Sequence, residues 1–100
     1  MRLTKEQQNI IKDKVNQYFG PDTQVILFGS RTDDQLKGGD IDLLLELNTA
    51  VENPLKKNIS LNAALQIALG GPQKIDIIIH QKSDPPTSLY KSALKEGVRL

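Results

Sequence analysis

The sequence contains no cysteine and no tryptophan, and its aromatics are confined to two Tyr and two Phe. The missing thiols exclude disulfides and thiolate-bound metal, which fits a reducing compartment. The scarcity of aromatic rings requires a core built from Ile, Leu and Val. Neither sign of charge dominates: 13 Lys and Arg stand against 12 Asp and Glu, a formal net charge of +1. Nothing in that balance calls for nucleic acid or an anionic membrane, so direct nucleic-acid binding is not expected. No apolar run approaches the roughly 20 residues of a membrane span. The opening Met1-Arg2-Leu3-Thr4-Lys5-Glu6 is too polar for a secretory signal, so a cytoplasmic location is expected. Internal repeats, low-complexity tracts and linkers are also missing, and 100 residues make one domain, 1–100, with limited stability in reserve.

What is present centres on Val25 to Leu47. Two β-favouring apolar runs, Val25 to Phe28 and Ile41 to Leu47, flank a loop that opens with Gly29-Ser30 and closes with Gly38-Gly39. Side chains alternate along a strand, so Asp40 and Asp42 share one face while Ile41, Leu43 and Leu45 share the other. Their Cα atoms would lie roughly 6–7 Å apart, within reach of a shared metal pair of about 3.5–4 Å separation. Two carboxylates at that spacing repel each other without a cation, and Mg2+ favours such hard oxygen ligands. Gly29-Ser30 supplies a complementary anion site, because glycine lets the backbone approach a ligand and serine can open a helix with free N–H groups. Arg31 is the nearest fixed positive charge, with Lys37 a looser candidate.

The rest of the chain reads as supporting elements. Thr4 and Gln7 form a capping-box pattern ahead of a helix whose apolar stripe is Ile10, Ile11, Val15, Tyr18 and Phe19, stopped by Gly20-Pro21. Asn53-Pro54 signals a second helix, with Asn as cap and Leu55, Ile59, Leu61, Ala64, Leu65, Ala68 and Leu69 as its apolar residues. Lys56-Lys57 opposes that helix's dipole and reads either as a solvated first turn or as a basic contact for a partner or nucleotide. A third strand runs from Lys74 to His80, with Asp76, Ile78 and His80 on one face. A buried aspartate there would need a cation or a hydrogen-bond partner, which argues for bringing Asp76 beside Asp40 and Asp42. Taken alone, Asp76 would instead read as an exposed residue of an edge strand. Glu46 and His80 read as solvated strand ends. Ser83-Asp84-Pro85-Pro86 is a rigid loop, Thr87 or Ser88 caps a last helix carrying Leu89, Tyr90, Ala93 and Leu94, and Val98-Arg99-Leu100 is a short apolar tail.

Gly29-Ser30-Arg31, Gly39-Asp40-Ile41-Asp42-Leu43 and Lys74-Ile75-Asp76-Ile77-Ile78, in this order, resemble the minimal nucleotidyltransferases of the DNA polymerase beta superfamily. The likeness covers nearly the whole chain, down to Glu96-Gly97-Val98. It departs from the common pattern in a slightly shorter loop, in Gly39 where a serine is frequent, and in Asp33-Asp34 where relatives often carry an arginine and a glycine.

The resemblance implies an α/β (α+β) nucleotidyltransferase fold, a mixed sheet of three or four strands with helices on one face and carboxylates on the other. It implies two Mg2+ held by Asp40, Asp42 and Asp76, with these three as the catalytic residues and Asp76 as base. Gly29, Ser30 and Arg31 would bind the phosphates of ATP, and AMP would pass to an acceptor hydroxyl. Small members of this family often act as antitoxins of HEPN-type ribonuclease toxins, which makes such a toxin the expected partner and its hydroxyl the acceptor. Two other readings follow from the same residues: a non-catalytic module that neutralises the toxin by covering it, motivated by Asp33-Asp34 and the short loop, and the catalytic subunit of a two-subunit small-molecule nucleotidyltransferase. Oligomeric association is open.

Overall fold

A computed structural model describes residues 3–29, 41–71 and 74–100. The chain order is α1 (Lys5–Phe19), β1 (Gln24–Phe28), β2 (Ile41–Leu47), α2 (Pro54–Ala68), β3 (Ile75–Gln81), α3 (Ser88–Glu96) and β4 (Val98–Arg99). The strands form one mixed sheet in the order β3-β2-β1-β4. β1 pairs antiparallel with both β2 and β4, whereas β2 and β3 run parallel, joined by α2.

Local sequence sets the helix boundaries. At the start of α1 the Thr4 hydroxyl accepts from the Gln7 backbone N–H at 3.0 Å, and the Gln7 side chain accepts from the Thr4 N–H at 2.9 Å, which completes the capping box. Gly20 ends the helix at φ 98. The start of α2 differs from expectation: Asn53 makes no side-chain cap and instead adopts a left-handed backbone at φ 51. Asn tolerates that region better than most residues, and Pro54 then supplies a helical φ. Thr87, rather than Ser88, caps α3 by accepting from the Tyr90 N–H at 3.1 Å.

β2 lies inside the sheet, wholly apolar on one side and carrying Asp42, Leu44 and Glu46 on the other. Ile41, Leu43, Leu45 and Leu47 face α1 and α2, packing with Ile11, Val15, Phe19, Leu61 and Leu65. Leu44 faces the other way and packs with Ile26 and Ala93 beneath α3, joined by Phe28, Ile78 and Tyr90. Thus α1 and α2 form one layer, while the short α3 covers the middle of the carboxylate face. On that face apolar packing starts beyond Asp42, with Leu44. The sequence reading gives Leu55 and Ile59 to the apolar face of α2, but both are exposed. Leu61 and Leu65 are the buried positions because Asn58 and Asn62, on an adjacent row, donate to the carbonyls of Ile77 (3.1 Å) and Ile75 (2.7 Å). Those bonds fix the rotation of α2 against β3.

The terminal residues read as a tail form β4, with Val98 opposite Leu27 and Arg99 opposite Ile26. Gly97 makes this possible. A Cβ there would strike the Ala93 carbonyl and Ile26, and would lie 2.9 Å from the Leu27 carbonyl. Gly97→Ala is therefore expected to force α3 away from β1 and destabilise the protein by about 1–3 kcal/mol, the usual range for overpacking. Urea unfolding of the two proteins checks this, and an unchanged midpoint would contradict the close approach.

Candidate active site

The parallel register between β2 and β3 brings the acidic residues together. Asp42 is the direct partner of Asp76, so their Cα atoms stand about 4.8 Å apart on one face of the sheet. The two carboxylates come from segments 34 positions apart, and only strand pairing unites them. Asp42 is half-buried. Its carboxylate lies over Gly29, where β1 ends: a Cβ at Gly29 would meet Asp42 Oδ2 well inside van der Waals contact and sit 3.1 Å from Cγ. Gly29 also adopts φ 77, a conformation L side chains rarely take. Glycine is thus required twice, by backbone angle and by the space its neighbour's carboxylate occupies.

Asp76 differs from the sequence expectation. Its side chain is 53% exposed, with Lys74 Nζ 3.9 Å from Oδ2. The reason is topological: β3 is an edge strand, so the residue has a neighbouring strand on one side only. Its position beside Asp42 follows from register and not from the cost of burial. The ion pair with Lys74 is solvent-exposed and contributes little, of the order of 0–1 kcal/mol. Lys74 has no place in the sequence reading of the site; its position two residues before Asp76, on the same strand face, was the available signal.

Ser30, Arg31 and Asp40, together with Lys37, Asp33 and Asp34, lie outside the described residues. Among the described residues, no three histidine, cysteine or acidic side chains converge to hold a metal ion. Asp42 and Asp76 offer hard carboxylate oxygens on adjacent strands, a donor set that suits Mg2+. The space left by the absent side chain of Gly29 is what lets the Asp42 carboxylate occupy its position.

One strand-turn further along the same face, a second register pair joins Glu46 to His80. Both were read as solvated ends, and both are partly covered by α3. The Tyr90 hydroxyl donates to Glu46 Oε1 at 2.5 Å, and the Tyr90 ring stacks on His80 with centroids 3.6 Å apart and planes 14° apart. Both ring nitrogens of His80 are shielded and lack a hydrogen-bond partner. The sequence signal was the i, i+4 repeat that puts Glu46 behind Asp42 and His80 behind Asp76; their cover depends on where α3 lands. This cluster fastens α3 about 13 Å along the strands from the carboxylates.

A family model for the nucleotidyltransferase domain matches residues 9–100. The chain belongs to the nucleotidyltransferase domain family. No curated protein sequence matches it. Among solved structures, this nucleotidyltransferase chain is similar to one in the crystal structure of a mutant MntA–HpeT toxin–antitoxin, at 21% identity and TM-score 0.67, covering 93% of this chain and 69% of that one. It is also similar to one in the complex of tri-AMPylated Shewanella oneidensis HEPN toxin with MNT antitoxin, at 21% identity and TM-score 0.57, covering 93% and 70%. At these identities the likeness establishes the shared fold, a mixed sheet with three helices.

Two outcomes test this geometry. Gly29→Ala is expected to displace the Asp42 carboxylate and lower stability by about 1–3 kcal/mol, measured by urea unfolding. The second concerns Tyr90, whose hydroxyl pKa is raised above its ordinary 10.0 by the hydrogen bond to Glu46, then by burial and by the Glu46 charge. The folded state therefore holds that proton more tightly than the unfolded chain. The resulting stabilisation is fully present below about pH 10 and is lost as pH rises through the folded value. Tyr90→Phe should lose about 1 kcal/mol at neutral pH and show a shallower alkaline decline than the wild type in unfolding measured from pH 8 to 11.

Proposed function

We propose that this nucleotidyltransferase is metal-dependent and transfers AMP from ATP to an acceptor hydroxyl on a HEPN-type partner toxin in the cytoplasm. The observation that carries the reading is the in-register pair Asp42 and Asp76, across parallel strands of a nucleotidyltransferase domain. The AMPylated HEPN toxin found with the MNT antitoxin of similar fold supports the choice of nucleotide and acceptor.

In this reading Asp40, Asp42 and Asp76 hold two Mg2+. When bound, these ions would supply charge neutralisation at the phosphates. Gly29, Ser30 and Arg31 hold the β- and γ-phosphates of ATP. The acceptor oxygen attacks the α-phosphorus, the bond from that phosphorus to the bridging oxygen breaks, and pyrophosphate leaves with the electron pair. Asp76 takes the acceptor's proton. Its edge position suits that role, because a carboxylate half-exposed on the outermost strand can be reached by a hydroxyl on another macromolecule without an enclosed pocket. Asp42, half-buried against Gly29, is the better fixed of the two and orients the pair.

Intact mass of the HEPN-type partner, after incubation with ATP and Mg2+, provides the test. Wild-type protein should add one or more AMP-sized increments. Asp76→Asn should slow the addition about 10²–10⁴-fold, the range for loss of a general base, and Asp42→Asn should abolish it while the complex still forms. Modification by Asp42→Asn at the wild-type rate would sink the assignment. Complex formation by both proteins without any mass gain would instead favour neutralisation by covering alone.

A further inference from the structure

The opposite side of the molecule carries an apolar row that the fold leaves unused. Leu55, Ile59, Ala63 and Ile67 follow one another at four-residue intervals along α2 and so form a single ridge. Leu55 is 73% exposed, Ile59 65% and Ile67 82%, and Ala63 is exposed as well. A groove of ≈ 450 Å³ runs beside them, lined by Leu55, Asn58, Ile59, Asn62 and Ala63. α2 is thus apolar on two sides: Leu61 and Leu65 serve the core, and this second row packs against none of the core residues described. Three large aliphatic side chains on one ridge are more than the scattered exposed residues of an ordinary surface.

We propose that this ridge is a self-association surface, on which α2 of a second copy of the chain packs antiparallel about a twofold axis. Two features select that occupant. The row is self-complementary: an antiparallel twofold between Ile59 and Ala63 sets Ile59 against the small Ala63 of the other copy, reciprocally, and Leu55 against Ile67. At the centre Ile59 then fills the hollow left by Ala63, while Leu55 and Ile67 meet as two large side chains on either side of it. The charges are complementary in the same arrangement. The first turn of α2 has no acidic residue and its last turn no basic one, while Lys56 and Lys57 stand at the end where the helix dipole is positive. Alone, that layout is unfavourable at both ends. Antiparallel pairing brings Lys56, which lies on the ridge side of the helix, beside the C-terminal end of the other copy's α2, where the dipole is negative and no basic residue stands.

The contact lies on the α1–α2 layer, away from the face that bears Asp42 and Asp76, so pairing leaves those carboxylates open. It is independent of the catalytic reading. One ridge per copy makes a small interface, at the low end of specific contacts, so a reversible dimer is expected at micromolar concentration.

Sedimentation velocity of the full chain across a wide concentration range should show a monomer–dimer equilibrium. Ile59→Lys, a change at an exposed position, should shift it at least tenfold toward monomer while the circular dichroism spectrum and melting temperature stay as in wild type. Because the chain lacks cysteine, Leu55→Cys and Ile67→Cys proteins can be mixed and oxidised, and should cross-link to each other in preference to themselves. A wild type that stays monomeric at every concentration overturns the proposal, as does a dimer indifferent to Ile59→Lys or a preference for like-with-like cross-links. If the wild type is monomeric alone and Ile59→Lys instead weakens binding of a HEPN-type toxin, the ridge belongs to the toxin, and self-association is equally overturned.

Discussion

The parallel register of β2 on β3 is the constraint on which the rest depends. It aligns Ile41 with Ile75 and carries through to Leu47 with Gln81, so one pairing decision sets Asp42 beside Asp76 and Glu46 beside His80. A slip of one residue would turn every β3 side chain to the opposite face. Ile75, Ile77 and Ile79 would then lose their packing on the α1–α2 layer, where Ile75 is buried and the other two lie against it. The aliphatic core thus holds the register, and the register holds the carboxylates.

The same pairing explains how the described residues cover one half of the carboxylate face. Between the two polar pairs lie Leu44 and Ile78, and α3 settles over them with Ala93 as its buried contact. A larger residue at Ala93 or any side chain at Gly97 would hold the helix off the sheet. Tyr90 then completes the attachment through Glu46 and His80. At the other end no helix among the described residues covers Asp42 and Asp76, and the edge position of β3 leaves Asp76 half-exposed. Packing and access are divided along a single pair of strands.

Some features were legible because they are local. The capping box at Thr4 and Gln7, the strand Gln24–Phe28 and the Gly29 turn depend on neighbours within a few residues. Other features were misread because they are not. Asn53 starts α2 through its backbone and not its side chain, a choice sequence spacing does not distinguish. Leu55 and Ile59 fit an apolar helical stripe as well as Leu61 and Leu65 do. Which stripe turns inward was settled by Asn58 and Asn62 bonding to a strand that follows them in the chain. Asp76 was expected beside Asp42 on an energetic ground, burial, that does not hold; the neighbourhood is real, but topology supplies it.

By itself, then, the sequence determined the local vocabulary and the candidate chemistry: β-favouring runs around a glycine turn, alternation that gives Asp42 and Asp76 to one face of their strands, and a resemblance that the nucleotidyltransferase family model supports over residues 9–100. Only the tertiary structure decided that β3 is an edge strand, that the carboxylates meet through parallel register, that Glu46 and His80 lie under α3, and that one ridge of α2 stays in solvent. The physical reason is range. Turns, caps and strand faces follow from backbone sterics over a few residues, whereas burial and strand partnership are set by side chains tens of positions away, through packing that no single segment specifies.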